Sequence, residues 1–68
     1  MPIDIDDKLN GAYMWRRMWN ESMNKGEYKW AQDYEDNLMR CLRLIKENAP
    51  EIYASIKYEF RPFSDHIK

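Results

Sequence analysis

The chain has one cysteine, Cys41, and one histidine, His66. A lone cysteine excludes an internal disulfide, and a lone histidine excludes a histidine-rich metal centre. Unbroken apolar runs are only a few residues long, far short of the roughly 20 that span a bilayer. An excess of one charge is also missing, because 11 Lys and Arg face 12 Asp and Glu. That balance argues against a general nucleic-acid binder, which would be clearly basic, and equally against an acidic mimic of nucleic acid. Glycine-rich phosphate loops, paired Cys or His ligands and nucleophile elbows are absent. The start, Met1-Pro2-Ile3-Asp4, is acidic and lacks the apolar stretch of a secretory signal. Without that signal, the acceptor pattern Asn20-Glu21-Ser22 has no bearing on glycosylation. These absences lead us to expect a cytoplasmic protein that is not an enzyme, with no cofactor, no metal and no membrane partner.

What is present is aromatic and sulfur-rich, with three Trp, five Tyr, two Phe and five Met in 68 residues. Large side chains let a short chain bury more apolar area, at about 25 cal/mol per Å². Ordering costs roughly 1.5 kcal/mol per residue, so a core of this size balances near zero. A partner or a homo-oligomer is the remaining source of stability.

The stretch 26–48 organises the chain. At helical spacing Trp30, Ala31, Tyr34, Leu38, Cys41, Leu42 and Ile45 fall within about 120° of arc, the width of a core-facing stripe. Lys29, Asp33, Asp36, Arg40, Arg43 and Glu47 lie opposite. The sequence therefore predicts a single small domain: a leader over 1–6, helix one over 7–24, helix two over 27–48, helix three over 50–58 and a tail over 59–68. Asp6 or Asp7 is placed to cap helix one, and Asn10-Gly11 is a turn that could delay it. An EF-hand reading of Asp4, Asp6 and Asp7 fails, since Leu9 stands at the required glycine and Trp15 at the closing glutamate.

Leu9, Ala12, Trp15, Trp19 and Met23 form one stripe on helix one, and Met14 and Met18 form a second beside it. A helix apolar over so much of its surface needs more than one neighbour. Gly26 allows a short link, so the helices form an antiparallel hairpin with Trp15, Trp19 and Met23 opposite Trp30, Tyr34 and Leu38. Pro50 starts helix three, whose Ile52, Tyr53, Ile56 and Phe60 close over the hairpin. Arg61-Pro62 forces extended backbone, and Phe60 and Phe63 dock the tail, while residues 64–68 fray. The fold class is all-α, a small three-helix bundle with an extended C-terminal tail.

For function, Met14, Met18, Trp15, Trp19, Arg16 and Arg17 are the candidate partner-binding residues. Trp, Met and Arg are enriched at interface cores, and Met adapts its shape to a partner. The reading is a protein-interaction module of the adaptor or inhibitor kind, of a type encoded by phages or mobile elements, binding a protein partner or itself. The alternative is a small oligomer that binds a nucleotide or RNA. Aromatic faces would stack bases while Arg16, Arg17, Lys25, Lys29, Lys57 and Arg61 hold phosphate, with Tyr58 beside them. Cys41 reads as a small core residue and His66 as a tail residue, neither of them catalytic.

Trp15, Gly26-Glu27-Tyr28, Ala31 and Tyr34 resemble part of a tetratricopeptide repeat, and the similar hairpin of microtubule-interacting-and-transport domains. The resemblance implies hairpin packing. Trp19 and Leu38 stand where the repeat has small residues, and there is one copy where solenoids need about three. No binding residue is carried over from it.

Overall fold

In the computed structural model, which describes residues 3–67, Asp4 caps the first helix. Its backbone is extended (φ −83°, ψ 104°), and its carboxylate accepts the Asp7 N–H at 3.2 Å. The expectation that Asp6 or Asp7 caps is thus corrected. Both lie in the first turn, where negative charge suits the helix N-terminus. Helix α1 runs Ile5–Asn24, two residues earlier than the sequence predicts. Residues 1 and 2 of the expected leader lie outside the described residues, as does residue 68. Asn10-Gly11 makes no turn and sits within α1, where a glycine costs about 1 kcal/mol relative to alanine.

Helix α1 closes in a Schellman arrangement. The Glu27 N–H donates to the Ser22 carbonyl at 2.8 Å, and the Gly26 N–H donates to the Met23 carbonyl at 3.2 Å. Gly26 takes φ +76°, which only glycine adopts cheaply, and the chain reverses into α2 (Tyr28–Asn48). Ala49 leaves the helical conformation (φ −146°, ψ 69°), and Pro50 begins α3 (Pro50–Ile56) in the turn where its missing N–H is not needed.

Helix three ends at Ile56 and tightens into a 3₁₀ turn, Lys57–Phe60. Arg61 is extended before Pro62 (φ −70°, ψ 144°), as proline requires. The tail then departs from the expectation of an extended, fraying end. It folds into a second 3₁₀ turn, Phe63–His66, with Phe60, Phe63, Ser64 and Ile67 buried. The reason is local satisfaction of polar groups around two aromatic anchors. The Ser64 hydroxyl donates to the Lys57 carbonyl at 2.6 Å, and the Tyr53 hydroxyl donates to the Ser64 carbonyl at 3.3 Å.

Leu38, Leu42, Ile45 and Phe60 are fully buried at the centre, and Ala12 and Ala31 let α1 and α2 approach closely. The predicted stripe of α2 holds except at its start. Trp30 is 57% exposed, because it lies on the margin of the stripe, on a side of the hairpin that no other segment covers among the described residues. Met23 and Ile52 are likewise exposed rather than packed in the core. The C-terminal segment covers one broad side of the hairpin. Phe60 meets Tyr13 with ring centroids 5.0 Å apart, Phe63 meets Trp19, and the Lys46 ammonium sits 5.8 Å over the Tyr53 ring. The result is a slab of 36 × 24 × 15 Å with one side covered and, among the described residues, one side open.

Candidate functional site

The open side is built from the hairpin itself. Met14 and Met18 lie about 160° round α1 from Arg16, which faces the C-terminal segment. Met14 is 47% exposed and Met18 partly so, and neither belongs to the core cluster. Trp15 lies between them and α2, where it stacks on Tyr34 with centroids 5.8 Å apart and planes at 28°. On α2, Trp30, Asn37 and Leu44 recur every seventh residue, which holds them on one side of a helix.

Near the N-terminal end of this face is a hollow of about 350 Å³, lined by Asp7, Gly11, Met14, Trp15 and Cys41. Gly11, which has no side chain, forms part of its wall, 3.5 Å from Cys41 Sγ measured to where a Cβ would stand. Partial burial pushes the Cys41 thiol above its ordinary pKa, with Lys8 pulling weakly the other way. A thiol held protonated is a poor nucleophile.

The partner-binding candidates therefore divide between two sides. Met14, Met18 and Trp15 line the open face. Trp19 and Arg16 are engaged beneath the C-terminal segment. The Arg16 guanidinium lies 4.9 Å from the Phe60 ring centroid and 5.4 Å from that of Tyr13, and donates to the Glu59 carbonyl at 2.6 Å. The Tyr13 hydroxyl donates to Glu59 Oε2 at 2.9 Å, and this bond, with burial, raises the Tyr13 pKa. Arg17 is exposed on neither cluster.

The alternative ligand set divides as well. Lys25 and Lys29 are exposed at the hairpin turn. Lys57, Tyr58 and Arg61 line a groove of about 420 Å³ with Lys46 and Tyr53. The Lys57 ammonium lies 5.3 Å from the Tyr58 ring centroid, and Arg61 Nε pairs with Asp65 at 3.1 Å. Arg16 and Trp19 take no part in this groove.

His66 is exposed on the second 3₁₀ turn, beside Glu35, Arg40 and Arg43. It lies in a different hollow from Cys41. Among the described residues, no group of three or more His, Cys, Asp or Glu is placed to hold a metal ion. No helix among them is long and apolar enough to cross a membrane.

Two features of the open face escape sequence reading. Trp30 counts as core on periodicity alone, and its place at the stripe margin is the only signal otherwise. Gly11 reads as a turn, although a glycine inside an amphipathic helical run is also the signal of a close approach. Comparison with protein families, with curated proteins and with solved structures found no match to this chain.

Proposed function

We propose that this chain is a non-enzymatic protein-interaction module of the adaptor or inhibitor kind, acting in the cytoplasm through the open face of the hairpin. The observation that carries this reading is that face itself. Met14, Met18 and Trp30 stand on the one broad side that the C-terminal segment leaves uncovered. A flexible thioether pair beside an exposed indole is the chemistry of an adaptable apolar contact. The lone thiol, with no disulfide to form, suits a reducing compartment.

The test is capture from source-cell lysate on immobilised wild type and on Met14→Asp and Met18→Asp, each with and without nuclease. A partner retained at high salt by wild type, insensitive to nuclease and lost on both variants with helicity intact, is the expected result. Equal retention on all three overturns the reading.

A second reading rests on the groove at Lys46, Lys57, Tyr58 and Arg61, where cations and an exposed aromatic ring stand together. It is a nucleotide or RNA site of a small oligomer. Asp65 offsets Arg61 there, which weakens the attraction for phosphate. Binding that falls steeply with salt and disappears with Lys57→Ala would favour it over the open face.

A further inference from the structure

We propose that the groove at α3 and the C-terminal segment is a site for a small phosphate monoester, its dianion held by Lys46, Lys57 and Arg61 and its organic part laid against Tyr58. This rests on the second reading above, narrows its ligand from a nucleic acid to a small molecule, and is independent of the open face.

Charge decides the ligand class. Lys46, Lys57 and Arg61 line the groove against a single carboxylate, Asp65, so two positive charges are left over. A ligand carboxylate would cancel one of them. A phosphate monoester, at nearly −2 near neutral pH, cancels both. The cations are available for it. Among the described residues neither Lys46 nor Lys57 meets a carboxylate. Asp65 engages only Nε of Arg61, with its two oxygens at 3.1 and 3.2 Å. Both terminal nitrogens of that guanidinium donate to nothing among the described residues. The ion pair thus holds the planar fork and leaves its end open to an oxyanion.

The walls are fixed in advance. The Lys46 ammonium lies 5.8 Å over the Tyr53 ring and the Lys57 ammonium 5.3 Å over the Tyr58 ring, and both lysines are partly buried. Beneath them the Tyr53 hydroxyl donates to the Ser64 carbonyl and the Ser64 hydroxyl to the Lys57 carbonyl, which ties α3 to both 3₁₀ turns. A site already in place loses less on binding.

Size and stacking favour a small molecule over a strand. The groove, about 420 Å³, falls in the range of small-ligand pockets, about 300–1,000 Å³. Of the rings that line it Tyr53 is buried, and Tyr58, 68% exposed, is left as one stacking face. A single strand uses a succession of such faces. Pro50, Ala54 and Ile67 complete an apolar lining for the organic part.

Titration calorimetry on the purified full chain, with amide-shift mapping by NMR, tests this. The probes are phenyl phosphate and adenosine monophosphate, with benzoate, adenosine and a uridine pentanucleotide beside them. Both esters should saturate one site, shift the Lys57 and Tyr58 amides, and bind at least about tenfold tighter than benzoate or adenosine. Tighter binding of adenosine monophosphate supports the proposal with a nucleotide as the source, and tighter binding of phenyl phosphate supports it with a simple aryl ester. Lys46→Gln and Lys57→Gln should each weaken binding about tenfold, and Lys29→Gln, at the hairpin turn, should not. No saturable binding of either ester at about 10 mM overturns the proposal. So does binding that both groove variants retain, since that is general surface attraction. If the esters fail and the pentanucleotide binds through Lys57, the small-molecule site is overturned and the RNA form of the second reading stands.

Discussion

Trp19 meets Phe63 edge to face, with ring centroids 4.9 Å apart and planes at 89°. The two residues come from opposite ends of the chain, so this contact, with the Phe60–Tyr13 pair, ties the C-terminal segment to the first helix. Deleting a buried Phe side chain costs about 3–5 kcal/mol. That is comparable with everything a domain of this size has. Phe60→Ala should therefore remove the cooperative urea transition followed by circular dichroism. Phe63→Leu, which keeps most of the volume, should keep the transition and lower its midpoint.

Arg16 and Arg17 are neighbours in sequence and differ in surroundings. Arg16 is stacked on two rings and bonded to the Glu59 carbonyl, whereas Arg17 is exposed. Arg16→Ala should cost about 1–2 kcal/mol in chemical denaturation, and Arg16→Lys should recover little of it because the planar guanidinium is lost. Arg17→Ala should stay within about 0.5 kcal/mol of wild type.

The two glycines should respond in opposite directions. Gly26→Ala puts a side chain at φ +76° and should destabilise the chain by about 1 kcal/mol, with Gly26→Asn closer to wild type. Gly11→Ala has room for its methyl and should stabilise the isolated chain by up to about 1 kcal/mol. Thermal unfolding of each variant beside wild type checks both signs. A Gly11→Ala chain less stable than wild type would show that the glycine serves the single chain.

Alkaline pH should weaken the fold. Burial raises the pKa of Cys41 and of Tyr53 above their ordinary values, and the Glu59 hydrogen bond does the same for Tyr13. Groups whose folded pKa is raised favour folding while they stay protonated. Their contribution is whole below the unfolded values and is lost as pH rises through the folded ones. Stability measured by urea titration should be level through neutral pH and fall above about pH 9. Tyr53→Phe should make that fall shallower. A curve equally steep in the variant would count against the Tyr53 contribution.

The hairpin was legible because periodicity reports faces. Leu38, Leu42 and Ile45 recur on one side of α2 and are fully buried. Gly26 marked the reversal for the same kind of reason, since its backbone conformation has a residue preference. The C-terminal segment was less legible. Its structure depends on the Tyr53–Ser64 and Ser64–Lys57 hydrogen bonds and on rings donated by α1, none of which has a period. The candidate site was half legible. Residue type singled out Met14 and Met18, but type alone could not tell that Arg16 and Trp19, on the same helix, would be taken up by the tail.

The three tryptophans of this slab are also three optical reporters. Trp30 is in water, Trp15 is stacked on Tyr34 at the edge of the open face, and Trp19 is held against Phe63 on the covered side. Fluorescence from single-tryptophan variants should then read three events separately. Iodide should quench Trp30 first, a blue shift at Trp30 or Trp15 should mark something settling on the hairpin, and a red shift at Trp19 should mark the tail letting go. The chain carries its own probe for each side.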